Sequence, residues 1–307
     1  MPIRVYVGLL SGKSASLLTD PESQVELLRR QAQAELETHL SHLVLSGGEV
    51  LWPSSTLENA GVTDGAELVG IVRPAALANG DTALAFLAED GRVVAWGDPR
   101  GGGDFWSVRE HLHSCQQIQA SYGAFAAIRD DGRVITWGNP DTGADSSGVQ
   151  DQLYDIFQLA ATCEAFAALR LDGTVVAWGS FEDGGDCDVL RDQLHDVRCI
   201  SAADFAFAAV CRDGSVVTWG NELFGGDSSA VQHRLRKVRC IQCTARAFAA
   251  ILEDGSVVTW GSEEEGGDSR AVQDQLWQVR AIQATSVSFA AIREDGRVVT
   301  WGDEKFG

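Results

Sequence analysis

From residue 74 onward the chain is built of short apolar runs separated by glycine-containing turns. In Phe248-Ala-Ala-Ile251 and Val257-Val-Thr-Trp260 apolar residues occupy both alternating positions, and Glu253-Asp254-Gly255-Ser256 lies between the two runs. Runs this short with apolar side chains on both faces predict β-strands covered on each side. Asp-Gly between them predicts a hairpin closed by a type I′ turn, in which both central residues take positive φ. Upstream, Val238 and Ile241, like Val197 and Ile200, begin a third strand.

This unit recurs without drift. Trp-Gly stands at Trp96, Trp137, Trp178, Trp219, Trp260 and Trp301, always 41 residues apart, and Asp-Gly at Asp90, Asp131, Asp172, Asp213, Asp254 and Asp295 keeps the same register. One fixed period in several columns is the mark of a repeat array whose units bury their apolar faces against their neighbours. The segment linking two units begins with Gly-Gly-Asp and continues with apolar residues at i, i+4 and i+7, such as Val149, Leu153 and Ile156, or Val231, Leu235 and Val238. That spacing predicts a short helix of about nine residues. Asp104, Asp145, Asp186, Asp227 and Asp268 then mark its start as N-caps.

The first 73 residues follow a different pattern. Residues 3–10 alternate as a strand, Ser11-Gly12-Lys13 turns, and Ala15 to Thr19 forms a second strand. Asp20-Pro21-Glu22 reads as a helix start, with Val25, Leu28, Ala32 and Leu36 at helical spacing. Leu43-Val44-Leu45, a Gly47-Gly48 turn and a last strand from Glu67 to Val72 complete a ββαββ order. The expected class is therefore mainly β: a β-grasp domain over residues 1–73, then a propeller-like array of six 41-residue units over residues 74–307. Each unit comprises a hairpin, a third strand and a linking helix. The last unit breaks off at Phe306-Gly307 where Phe224-Gly225-Gly226-Asp227 continued, so the array is expected to be truncated there.

Charge narrows the function classes. With 24 basic against 44 acidic side chains the net charge is −20, and residues 1–73 alone hold 5 basic and 9 acidic groups. Phosphate-backbone binders gather Lys and Arg on one face, so nucleic acid is not an expected partner. The closest basic cluster is Arg234, Arg236, Lys237 and Arg239. Seven cysteines out of register with the repeat argue for a reducing compartment, cytoplasmic or nuclear. No run approaches the length of a membrane-spanning helix, and the N-terminus lacks a secretory pattern, so no membrane is expected as a partner.

The pattern Val-x-x-Ile, an apolar strand and Asp-Gly-x-Val-x-x-Trp-Gly resembles the blade repeat of the regulator of chromosome condensation family, a β-propeller fold also found in HECT-type ubiquitin ligases of the HERC group. That resemblance covers residues 74–307. Residues 1–73 are similar to ubiquitin, with Leu43-Val44-Leu45-Ser46-Gly47 and Thr56-Leu57 in place, although Arg73-Pro74 replaces the terminal diglycine. The ubiquitin resemblance implies a partner-binding patch at Leu10, Val44 and Ile71. Stacked repeats offer an extended surface without a catalytic pocket, so the leading expectation is a non-catalytic scaffold for protein partners, to which the ubiquitin resemblance adds ubiquitin-pathway proteins. The resemblances imply two alternatives: the N-terminal or substrate-recognition part of a HECT-type ubiquitin ligase, and a nucleotide-exchange regulator of a small GTPase.

Other candidate sites have plainer explanations. Cys240-x-x-Cys243 lies in an expected strand and lacks the second pair that zinc needs, so it reads as strand packing. The six histidines share no ligand spacing, and one recurring Asp per unit lacks the clustered oxygens of a Ca²⁺ loop. Gly101-Gly102-Gly103-Asp104 has no following Lys-Ser or Lys-Thr and reads as a linker, not a phosphate loop. The recurring tryptophans read as blade packing in preference to light sensing. No catalytic residue, metal or cofactor is expected.

Overall fold

The structure, a computed structural model, describes residues 1–305; the expected break at Phe306-Gly307 lies outside the described residues. In the N-terminal domain β1 (Ile3–Gly8), β2 (Ser14–Thr19), β3 (Leu40–Leu45) and β4 (Glu67–Val72) form one sheet of order β2-β1-β4-β3. β1 and β4 run parallel at its centre, and the outer strands pair antiparallel to them. Alternation decides the faces: Val5 and Val7 are fully buried between exposed Arg4 and Tyr6. They meet Val25, Leu28, Ala32 and Leu36 from α1 (Val25–Leu36), which packs across that inner face. The helix starts later than the sequence suggests. Asp20 Oδ1 accepts the Glu22 N–H at 3.0 Å, so the acidic side chain closes a local turn and leaves Gln24 at the N-cap without a side-chain bond.

Residues 76–302 form six three-stranded antiparallel sheets, here called blades 1 to 6. Their first strands are Ala76–Asn79, Cys115–Ala120, Ile156–Ala161, Val197–Ala202, Val238–Cys243 and Val279–Ala284. Second and third strands form the expected hairpins, as in Ala247–Leu252 with Val257–Gly261. The turn itself differs from expectation. Among the Asp-Gly pairs only glycine takes positive φ, +77° at Gly255. Gly255 N–H bonds to Leu252 O, and Leu252 N–H to Ser256 O. This is a type I turn closed by a G1 bulge. Asp254 stays at negative φ because its carboxylate accepts the Ser256 N–H at 2.9 Å.

The hydrophobic core lies between blades. The second strand alternates alanine with larger residues, so Ala165 and Ala167 of blade 3 leave room for Phe207 and Trp219 of blade 4 in one continuous buried cluster. Phe207 stacks on Trp219 at 5.1 Å, and four further Phe–Trp pairs repeat this at 5.2–5.4 Å. Each such Trp donates its indole N–H to a glycine carbonyl of the preceding linker; Trp219 Nε1 reaches Gly184 O at 3.0 Å and Trp137 Nε1 reaches Gly102 O at 3.0 Å. A side chain at Gly184 would put its Cβ 2.8 Å from the Phe207 ring, which explains glycine at that position.

Backbone contacts join the blades as well. Val238 N–H of blade 5 donates to Gly214 O in the hairpin turn of blade 4 at 2.9 Å, and Val197 and Val279 make the same bond to Gly173 and Gly255. The residue just before each of these valines sits in the left-handed region: Asp196, Lys237 and Gln278 at φ 53°, 55° and 47°.

The expected linking helix is absent. Between blades the chain forms only single 3₁₀ turns, such as Gln150–Gln152 and Gln273–Gln275. Asp104, Asp145, Asp186, Asp227 and Asp268 each accept the N–H two residues on, at 2.8–3.1 Å, so they close Asx turns and do not cap an α-helix. Gln150 shows why no helix grows: its amide donates to Val134 O on the blade and its carbonyl accepts from Ser146 Oγ. A segment this short cannot outweigh such competing bonds. The i, i+4, i+7 spacing instead seats Leu153 and Ile156 in the core through two successive tight turns.

The two end faces of the array do not cover each other. Trp96 of blade 1 is 47% exposed, whereas Trp137, Trp178, Trp219, Trp260 and Trp301 are 4–7% exposed. At the other end Val298 is 59% exposed.

Candidate interaction surfaces

The helix side of the N-terminal domain is fastened to the array. From α1 and its N-cap, Gln24 Nε2 donates to Leu171 O at 2.9 Å, Arg29 Nη2 to Gln116 Oε1 at 2.7 Å, and Gln33 Nε2 to Asp130 Oδ2 at 2.9 Å. Arg212 of blade 4 returns a bond to Ser54 O at 2.6 Å. Buried Arg73 lies 3.8 Å from Asp130, and His39 Nδ1 lies 3.4 Å from the same carboxylate. Within the helix, burial pushes the Glu26 carboxyl up, but the guanidinium groups of Arg29 at 2.6 Å and Arg30 at 2.9 Å outweigh it and hold Glu26 below the ordinary range. Arg29 is thereby fixed for its bond to Gln116.

This mode of docking leaves the other side of the sheet open. Register places Val44 opposite Val69, and Val69 opposite Gly8; in the adjoining row His42 faces Ile71. Ile71 is exposed, Val44 and Val69 are half-buried, and Tyr6 and Leu18 extend the same face. Val44 and Ile71 thus share one apolar surface, and Leu10, 91% exposed, sits in the β1–β2 turn just beyond Gly8. The period-2 alternation that buries Val5 and Val7 forces the next residues outward, so this face is a consequence of the pattern.

Between the docked domain and the blades lies a cavity of about 650 Å³ lined by His42, Trp52, Gln117, Phe157, Gln158 and Arg198. The Arg198 guanidinium stands 5.4 Å from the Trp52 ring. Blade backbones are cross-braced here: Gln117 Nε2 donates to Leu159 O and its carbonyl accepts the Leu159 N–H, each at 3.1 Å. The basic cluster read from the sequence spans two elements. Arg239 lies on the first strand of blade 5, while Arg234, Arg236 and Lys237 lie in the exposed linker before it. Sequence reading passed over the column Arg198, Arg239 and Arg280, whose signal was present as three arginines at 41-residue spacing.

Cys240 and Cys243 both lie on that first strand, as expected, and Cys243 Sγ–H points to Ala202 O at 3.0 Å. Burial pushes the Cys243 thiol up to about 12, which keeps it protonated. The tryptophans are packing residues in all blades but the first. No helix among the described residues is long and apolar enough to cross a membrane.

No family model and no curated protein sequence matches the chain. Among solved structures the chain resembles yeast RCC1 (Prp20) bound to Kap60, with a TM-score of 0.50 and 17% identity over 94% of this chain and 84% of that one. Prp20p from Saccharomyces cerevisiae, described with its binding to Gsp1p and histones, gives 0.49 and 16% identity over 92% and 85%. The UBL domain of Plasmodium falciparum Dsk2 aligns with 23% of this chain and 97% of its own length, at 24% identity and a TM-score of 0.20. The first likeness defines the class: a mainly β chain with an RCC1-like propeller fold.

Proposed function

We infer that the chain is a non-catalytic scaffold that brings protein partners together, using the blades as one surface and a ubiquitin-like N-terminal domain as another. The observation that carries this reading is the mode of docking: α1 and Arg73 fasten the domain to the array, while the face holding Val44, Ile71 and Leu10 stays free. An exposed apolar face on a rigidly held domain is the kind of surface that marks protein recognition. The four-strand order and the Leu43-Val44-Leu45 segment support the ubiquitin-like assignment, and with it a role beside ubiquitin-pathway proteins.

The test is binding of the whole chain to immobilised ubiquitin-associated and ubiquitin-interacting modules. Saturable binding that Val44→Asp or Ile71→Asp weakens roughly tenfold, as loss of a central apolar anchor does, supports the reading. Absence of binding, or binding indifferent to both variants, sinks it.

A further inference from the structure

Charge is segregated on the first strands of the blades. These strands converge: residues on neighbouring first strands approach within 8 Å Cα to Cα along the whole array, forming its inner wall. Their sequences are ALAN, CQQIQA, IFQLAA, VRCISA, VRCIQC and VRAIQA. In a chain with 44 acidic residues none falls on this wall, and its only charges are Arg198, Arg239 and Arg280.

Those three arginines occupy one structural position. Each is the extra residue of a β-bulge, between Val197 and Cys199, Val238 and Cys240, and Val279 and Ala281. A bulge re-aims the side chain it carries. Arg198 Nη2 lies on the next blade, 2.6 Å from Arg239 O, and Arg239 Nη2 lies 2.8 Å from Arg280 O. The row is therefore continuous, each guanidinium touching the backbone of the next arginine. Among the described residues none of the three has a carboxylate within 4.0 Å. Carbonyl bonds occupy one nitrogen of Arg198 and of Arg239, and a guanidinium has five N–H donors. Arg198 opens into the interdomain cavity, and Arg239 and Arg280 continue the row into solvent.

We propose that this row binds an acidic peptide segment of a protein partner, laid along the inner wall from the cavity beside Trp52 toward Arg280. An extended chain presents every second side chain on one side at intervals of about 6.5–7 Å. Residues on adjacent first strands approach within 8 Å, a separation of the same order, so alternate Asp or Glu residues can face successive arginines and accept charge-assisted bonds. A nucleic acid fits less well. Three arginines neutralise few phosphates, and the surrounding net charge of −20 repels a long polyanion more than a short acidic segment. The inference depends on the blades being a binding surface and not on the sheet face of the N-terminal domain, so Val44→Asp serves as a control that separates the two.

The experiment is fluorescence anisotropy of the whole chain with a short alternating Glu-Ser peptide, a matched Gln-Ser peptide and oligo-dT. The Glu-Ser peptide binds saturably and releases at high salt, and the Gln-Ser peptide does not bind. Arg280→Gln is the discriminating variant, because among the described residues the Arg280 guanidinium, unlike those of Arg198 and Arg239, makes no bond to a neighbouring blade. It weakens binding several-fold, and Arg239→Gln with Arg280→Gln weakens it roughly tenfold or more. Arg191→Gln with Arg297→Gln, two exposed arginines elsewhere, leaves binding unchanged, as does Val44→Asp. Failure of the Glu-Ser peptide to bind overturns the proposal. Equal weakening by the control pair does so too, as does tighter, arginine-dependent binding of oligo-dT.

Discussion

Gly214→Ala and Gly296→Ala make a matched pair that measures what one blade contributes to the next. Both glycines close a hairpin with nearly the same backbone, φ +79° and +81°. Alanine in this left-handed conformation costs roughly 1–2 kcal/mol wherever it stands. The surroundings differ. At Gly214 the new Cβ falls 2.5 Å from Lys237 Cα and 2.9 Å from both Lys237 N and Val238 N, backbone atoms where the linker enters blade 5. At Gly296, in blade 6, it meets nothing within 4 Å among the described residues. Relieving the overlap requires blades 4 and 5 to part, at about 1–3 kcal/mol for overpacking. It also weakens the 2.9 Å bond from Val238 N–H to Gly214 O, worth about 1 kcal/mol. Gly296→Ala is thus expected to lose about 1–2 kcal/mol, and Gly214→Ala about 2–4 kcal/mol more. Urea unfolding of the whole chain, followed by tryptophan fluorescence, reads both losses. Faster amide exchange at Val238 in the Gly214 variant locates the damage. Equal losses for the two variants, within about 0.5 kcal/mol, would refute the claim that stability resides in blade-to-blade contacts.

Asp130→Ala tests the domain junction. It removes the carboxylate that accepts from Gln33 and faces Arg73, leaving a buried guanidinium without a counter-charge at a cost of about 3 kcal/mol. Calorimetry is expected to resolve a separate, lower transition for the N-terminal domain; a single unshifted transition would count against the junction. Asp183 gives a pH test. Burial first, then the charges of Glu164, Glu182 and Asp204, raise its carboxyl from 3.8 to about 6. The folded state therefore holds this proton more tightly than the unfolded chain, and the stability it gives is present below pH 3.8 and lost as pH rises toward 6. Asp183→Asn should raise the melting temperature at pH 7.5 and leave it nearly unchanged at pH 3.5; the same shift at both values would show that the strain lies elsewhere.

Local chemistry made much of the architecture legible. Strands of four to six apolar residues, a fixed 41-residue register and Trp-Gly strand ends led directly to stacked sheets, since such strands have no stable state unless both faces are covered. The alternation of residues 3–8 likewise determined which side chains of β1 face the helix and which face outward; Val44 and Ile71 came only from the resemblance to ubiquitin, and it is strand register that puts them on the outward face. The linking helix was misread because the spacing of Val149, Leu153 and Ile156 is common to a helix and to two tight turns. Hydrogen bonds from Gln150 to a blade decide between them, and those exist only in the assembled fold.

The sequence by itself determined that the repeats must pack side by side, because their periodicity leaves no other way to bury them. Tertiary structure alone decided where the first domain docks, that Trp96 and Val298 stay uncovered, and that three arginines 41 residues apart become one continuous row. The physical reason is range: strand and turn preferences act over a few residues, whereas the direction of a bulged side chain and the facing of two domains depend on atoms far away in the chain.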